Sequence, residues 1–166
     1  MYTLKKLPFS FYELEPFIDT HTIGLHYYKH QASYLTNLNK LLENYNLNYP
    51  IEDLYNHLDK IKEEDKNDVI FYLGGVTNHD LYWETINPNN KEKPKGKLLD
   101  AINKKYGSMN NFWNEFKNLT TNLKGSGYVF LIKDKNNNID LMTTSNQDNP
   151  RLYAVSYTHL TLPTTE

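Results

Sequence analysis

No cysteine occurs among the 166 residues. That absence removes disulfides, thiolate metal ligands and cysteine nucleophiles together. Any metal site must therefore be built from histidine, carboxylate, tyrosine or backbone oxygen. Long apolar runs are also missing. The stretch from Met1 to Pro8 lacks the hydrophobic run of a signal peptide, and nothing approaches the length of a membrane span. A cytoplasmic protein with no membrane partner is expected. Charge of one sign is equally scarce: the formal net charge is -2, and basic pairs such as Lys5-Lys6 and Lys104-Lys105 are balanced by acids elsewhere. No single-signed field exists to gather nucleic acid, although a small anion needs only a local positive funnel.

What is present fits a soluble globular chain, with 39% hydrophobic and 23% charged residues. The length suits one large domain or two small ones and is enough to bury a sizeable core. Fourteen tyrosines and seven phenylalanines imply a ring-rich core or contact surface.

Residues 1–18 read as an extended arm, because Pro8 and Pro16 forbid a continuous helix. Leu4, Leu7, Phe9, Phe11 and Phe17 are its candidate anchors. Asp19 and Thr20 are helix-capping residues. A helix-period stripe then runs through Ile23, Tyr27, Tyr34, Leu38, Leu41, Leu42 and Tyr45. Ile51 to Ile61 reads as a short helix, and a second main helix spans about 67–86, with Val69, Leu73, Val76, His79, Tyr82 and Trp83 on or beside one face. Gly74-Gly75 lies inside it. Each glycine there costs roughly 1 kcal/mol against alanine, so close approach or a bend is expected. The polar segment PNNKEKPKG, 88–96, marks a linker. Beyond it, 98–106 and 109–123 read as helices, 128–132 and 139–144 as strands, and Asn136-Asn137-Asn138 as their turn. The fold class is α+β: an N-terminal helical hairpin domain over 1–88, a linker over 89–97, and a partial C-terminal α/β domain over 98–154, whose β-hairpin belongs to a three-stranded antiparallel sheet.

His26, His30 and Tyr34 recur at four-residue spacing on the first helix, which puts them on one face. His79 lies on the apolar stripe of the second, with Asn78 before it and Trp83 one turn on. Taken singly, each histidine reads equally well as a hydrogen-bonded core residue. Antiparallel packing of the two helices, however, would bring the histidine-bearing faces together, and neutral imidazole is a common ligand for iron and its neighbours. No buried carboxylate is obvious in the first 154 residues. His21 opens its helix and His57 sits in a short polar one, so both are weaker candidates, and a surface position is expected for His57.

The Leu-Pro arm, the run Ile23-Gly24-Leu25-His26-Tyr27-Tyr28-Lys29-His30, Tyr34, the run Gly74-Gly75-Val76-Thr77-Asn78-His79-Asp80-Leu81-Tyr82-Trp83, the Gly125-Ser126-Gly127 break and Asn146-Gln147-Asp148 together resemble the iron/manganese superoxide dismutase family. Their order and spacing over 1–154 carry the resemblance. It implies a superoxide dismutase that binds one manganese or iron per subunit and works as a homodimer or homotetramer. It implies His26 and His79 as metal ligands, and His30 and Tyr34 at the substrate gateway. Gln147 is implied as the outer glutamine that contacts metal-bound solvent, with Asn78, Trp83 and Tyr128 in the surrounding wall. Val76 stands where manganese forms often carry histidine, and Tyr128 replaces a common tryptophan. Phe130 stands at another aromatic position. Gly75 with Gln147 resembles the manganese arrangement, so manganese is the expected metal.

The same resemblance implies a further aspartate and histidine ligand that the sequence does not show. Residues 155–166 read VSYTHLTLPTTE instead; 155–165 resemble a translated sequencing adaptor, so a non-native tail is expected over 155–166, with His159 no ligand. A chain supplying two of four protein ligands is expected to be inactive as it stands. Two other classes compete: a different helical metalloprotein such as a hydrolase, for which no HExxH-type motif is present, and a non-enzymatic helical interaction protein, which accounts for the tyrosines but not for the histidine placement.

Overall fold

A computed structural model describes residues 1–86, 88 and 93–153, and the backbone of 158–160. Residues 89–92 of the expected linker and most of the expected tail fall outside these residues. The chain divides into two compact units, Met1–Pro88 and Asn89–Glu166.

In the first unit the chain enters as an irregular arm and makes a short 3-10 turn at Phe11–Leu14. Helix α1 (Thr20–Leu25) starts at Asp19, whose carboxylate accepts from the Thr22 amide at 2.9 Å. It continues without a break into a π-helical segment (His26–Gln31) and then α2 (Ala32–Leu42). A 3-10 stretch, Ile51–Lys60, is kinked at His57. Helix α3 (Glu63–Thr85) returns against α2, with Glu63, Glu64 and Asp65 in its first turn, where negative charge complements the helix dipole. The arm is anchored by Phe9 and Leu14, packed with Ile23, Tyr27 and Trp83 and flanked by Leu4, Leu7, Phe11 and Ile18. Phe17, expected among these anchors, is 91% exposed; Leu14 and Ile18 do its work. His57 is only half-buried but is no bare surface residue: its ring stacks on Tyr49, centroids 3.8 Å apart.

In the second unit, α4 (Gly96–Tyr106) and α5 (Met109–Asn122) are joined through Gly107, with Ser108 accepting from the Asn111 amide as the cap of α5. Strands β1 (Gly127–Lys133) and β2 (Ile139–Ser145) form an antiparallel hairpin in which Tyr128 pairs with Thr144 and Lys133 with Ile139. The Asp134 carboxylate accepts from the amides of Asn136 and Asn138 and holds the turn, where Asn137 adopts a φ of 63° that asparagine tolerates. The third strand of the expected three-stranded sheet is β3 (Thr158–Leu160), which lies in the segment expected to be a tail; it is antiparallel to the other edge of β1, so the order is β2-β1-β3. Its residue His159 sits opposite Ile132. The core beneath the sheet consists of Ile102, Phe112, Phe116, Val129, Leu131 and Ile139. Alternation along β1 sends Val129 and Leu131 into it, while Tyr128, Phe130 and Ile132 are buried on the opposite face.

Burial separates two phenylalanines of the same chemistry. Phe112 is 0% exposed and Phe17 91%. Phe112→Ala should cost about 3–5 kcal/mol through lost transfer energy and a residual cavity, whereas Phe17→Ser should stay within about 0.5 kcal/mol of zero. Urea denaturation of the two variants checks this, and comparable losses would show that the core is misassigned.

Candidate metal centre

Three imidazoles converge inside the helical unit. His26 and His30 come from the π-helical segment and His79 from α3. Ring centroids are 5.4 Å apart for His26–His30, 4.9 Å for His26–His79 and 5.0 Å for His30–His79. One ring nitrogen from each lies within 4.8 Å of the other two. His79 is buried, His26 half-buried and His30 exposed, so the cluster opens outward on the His30 side.

Position follows from backbone. Single π turns inside α-helices are rare and often sit at functional sites; here one carries both His26 and His30. The middle of α3 is buried on every side, from Leu73 through His79. His79 Nδ1 donates to the Gly75 carbonyl at 2.5 Å. A carbonyl can only accept, so the proton is on Nδ1 and the lone pair on Nε2. A hydrogen bond of this kind fixes both tautomer and ring direction in metal-binding histidines. The donor set, two or three neutral imidazoles in a partly buried cluster, fits a first-row transition ion.

The glycine pair has its reason in the same place. A β-carbon on Gly75 would lie 2.4 Å from Cγ of Tyr34 and 2.5 Å from its Cδ1. The Tyr34 ring therefore rests on bare backbone, with His30 at 5.0 Å and His79 at 5.6 Å between centroids. A glutamine at this position would have to displace Tyr34. Trp83 borders His26 at 4.9 Å, and Asn78 is buried beside His79.

Sequence reasoning missed two residues. Gln31, 0% exposed, accepts from Trp83 Nε1 at 2.8 Å and donates through Nε2 to Asp80 at 2.6 Å. Asp80 is a half-buried carboxylate that the sequence did not reveal. Burial pushes its pKa up to about 6, while the Gln31 hydrogen bond and nearby Lys5 act in the opposite direction. Lys5 is itself paired with Glu84. The available signal was adjacency: Asp80 follows His79 directly on a face that packs tightly. Gln31 carried none, being a polar residue in a helical sequence with no partner visible nearby.

In the second unit Tyr128 donates its hydroxyl proton to Gln147 Oε1 at 2.9 Å, and both residues are buried. The two are therefore fixed relative to each other, as a buried polar pair requires.

Two outcomes follow. Asp80 is a raised acid, so its stabilising contribution is complete below its ordinary value of 3.8 and is lost as pH rises through about 6. Metal-free protein should lose on the order of 2–3 kcal/mol across that window from this group, and Asp80→Asn, which keeps the acceptor, should flatten the loss. Urea titrations at several pH values test it; a wild-type-to-variant difference that does not change with pH would refute it. Gly75→Ala should destabilise by about 1–3 kcal/mol through overpacking, despite alanine's better helix propensity. In a Tyr34→Ala background that cost should disappear, and a double-mutant cycle with no coupling would contradict the contact.

Comparison with known proteins gives the same direction. Sequence models described as iron/manganese superoxide dismutases, alpha-hairpin domain, and iron/manganese superoxide dismutases, C-terminal domain, match residues 1–87 and 94–163. A protein named superoxide dismutase (Mn/Fe) 2 from Staphylococcus aureus strain bovine RF122 / ET3-1 is 39% identical over 150 residues, covering 90% of this chain and 74% of that protein. Its counterparts in strains Mu50 / ATCC 700699 and N315 are 38% identical over the same length and with the same coverage. With both units matched in order and the helical unit carrying its histidines together, the chain belongs to the iron/manganese superoxide dismutase family.

Proposed function

We propose that His26 and His79 hold one manganese or iron ion and that the reaction is the disproportionation of superoxide. Two superoxide anions and two protons become one dioxygen and one hydrogen peroxide. Superoxide dismutase activity is the function of the family, and manganese or iron its cofactor. The observation that carries the assignment of ligands is the convergence of the His26 and His79 rings at 4.9 Å, with the His79 tautomer fixed by Gly75.

When bound, the ion supplies one-electron chemistry by alternating between its +3 and +2 states. The remaining work belongs to the chain. His26 and His79 orient the site. Trp83 excludes water on the His26 side and is held there by Gln31. Exposed His30 lines the way in for a small anion. Tyr34, pinned on Gly75, presents its hydroxyl as the proton-handling group beside His30 and His79. By the family resemblance Gln147, oriented by Tyr128, would be the outer glutamine that tunes the metal through a hydrogen bond, and Asn78 would belong to the surrounding wall. Gly75 together with Gln147 favours manganese. Assembly as a homodimer or homotetramer in the cytoplasm belongs to the same proposal; among the described residues no helix is long and apolar enough to cross a membrane.

The chain spans 74% of its relative, so the test uses both the chain itself and a version extended by the remaining segment of the S. aureus protein. Each is loaded separately with manganese and iron. His26→Ala and His79→Ala should reduce retained metal to background in both versions, and the extended wild type should consume superoxide. Undiminished metal in both variants would defeat the ligand assignment, and an extended, loaded protein without activity would defeat the reaction.

A further inference from the structure

We infer that the second unit carries a small-molecule site of its own: a cleft for a short amphipathic carboxylate, between α4 and the turn end of the β1–β2 hairpin. Every residue that lines it lies in that unit, and the inference does not depend on the metal centre.

The cleft has a volume of about 370 Å3 and is lined by Lys97, Leu98 and Ala101 of α4 and by Lys133, Asn137 and Ile139 of the hairpin. Sites for small organic molecules start at about 300 Å3 and combine apolar walls with a few placed polar groups. Here Leu98, Ala101 and Ile139 form the apolar wall. Ile139 belongs to the core beneath the sheet, and Leu98 and Ala101 pack against that core, so the wall is backed by fixed structure. Ala101 contributes only a methyl group, where a longer side chain would occupy the space.

Charge sets the ligand class. Lys133 pairs with Ile139 across the hairpin, and directly opposed residues share a face. That face carries Val129, Leu131 and Ile139 into the core, so Lys133 stands where the alternation of β1 calls for an apolar residue. It is half-buried: its hydrocarbon stem covers apolar surface while the ammonium keeps to the rim. Lys97 brings a second ammonium from the helix side. No carboxylate lines the cleft to neutralise them. Asp134 is engaged by the amides of Asn136 and Asn138 in the turn, Asp140 is paired with Lys105, and Asp100 is exposed on α4 outside the lining. Among the described residues neither Lys97 nor Lys133 is in an ion pair. Two cations on an apolar cleft, with the Asn137 amide as a further donor, complement an anionic head on a short hydrocarbon body. A carboxylate offers two oxygens to such donors, in charge-assisted hydrogen bonds.

Calorimetric titration of the full chain with octanoate, octanol and octylammonium, at neutral pH and low salt, tests the site. Octanoate should bind about tenfold or more tighter than either of the others, and added salt should weaken it. Lys97→Gln and Lys133→Gln should each weaken octanoate about tenfold and leave octanol as it is. Lys117→Gln, exposed on α5 and outside the lining, should change nothing. Octanoate that binds no tighter than octanol, or that binds undiminished in both lysine variants, overturns the inference. The wild-type comparison of head groups decides the matter even if a variant folds poorly. The version extended by the remaining segment of the S. aureus protein should bind octanoate equally well; loss of binding there would show that the cleft seats a following stretch of protein, and would overturn the inference too.

Discussion

The contact between Tyr34 and Gly75 sets the spacing on which the helical unit depends. An aromatic ring lies where a β-carbon would be, with its Cγ 2.4 Å from that missing atom. Two helices can approach this closely only where one of them offers bare backbone. The approach buries a full stretch of α3 on all sides, Leu73 through His79, and presses the His79 ring toward the face that carries His26 and His30. It also leaves the Gly75 carbonyl directed at His79 Nδ1. One glycine thus positions the ring of Tyr34 and selects the tautomer of His79. Glycine's helix penalty of about 1 kcal/mol is the cost of that arrangement.

Burying so much of α3 would strand polar groups unless they were paired, and they are paired across the unit. Tyr55 donates to the Thr77 hydroxyl at 2.8 Å, and Thr77 donates in turn to the Leu73 carbonyl at 2.9 Å. Trp83 donates to Gln31, and Gln31 donates to Asp80. An unpaired buried amide would cost about 1–3 kcal/mol, so Gln31 is tied to both of its partners at once. The chain of contacts Asp80–Gln31–Trp83–His26 therefore joins a carboxylate next to one imidazole with the wall beside the other. Its members come from the π-helical segment and α3 alone, so the geometry of the cluster is fixed within one unit.

Much of this was legible in the sequence, and the rest was hidden for identifiable reasons. Helix periodicity placed Ile23, Tyr27, Leu38 and Leu42 in the core, and the two histidine-bearing faces followed from four-residue spacing and antiparallel return. Gly74-Gly75 announced a close approach without saying what approached, because Tyr34 is distant in sequence. Gln31 and Asp80 stayed invisible for the same reason: each is polar, and only tertiary pairing makes burial tolerable. Phe17 misled because hydrophobicity alone does not say which ring of an irregular arm turns inward. The three-stranded sheet was legible, but not that Thr158–Leu160 would supply its third strand, because that segment is short and its pairing with Leu131–Lys133 is a long-range event.

The second unit shows the same logic in a sheet. Strand β1 is flanked by β2 and β3 and buried on both faces, which explains why it reads as a continuous apolar run rather than an alternating one. One face supplies Val129 and Leu131 to the helix-covered core. The other carries Tyr128 and Phe130, rings 5.7 Å apart, and there the Tyr128 hydroxyl meets Gln147. A phenylalanine at 128 would keep the ring packing but leave the Gln147 carbonyl oxygen without that donor. A tryptophan would move its donor to a different place on a larger ring. Tyrosine at this position therefore specifies where the amide of Gln147 points, and a buried polar pair of this kind has to be fixed in orientation to be satisfied at all.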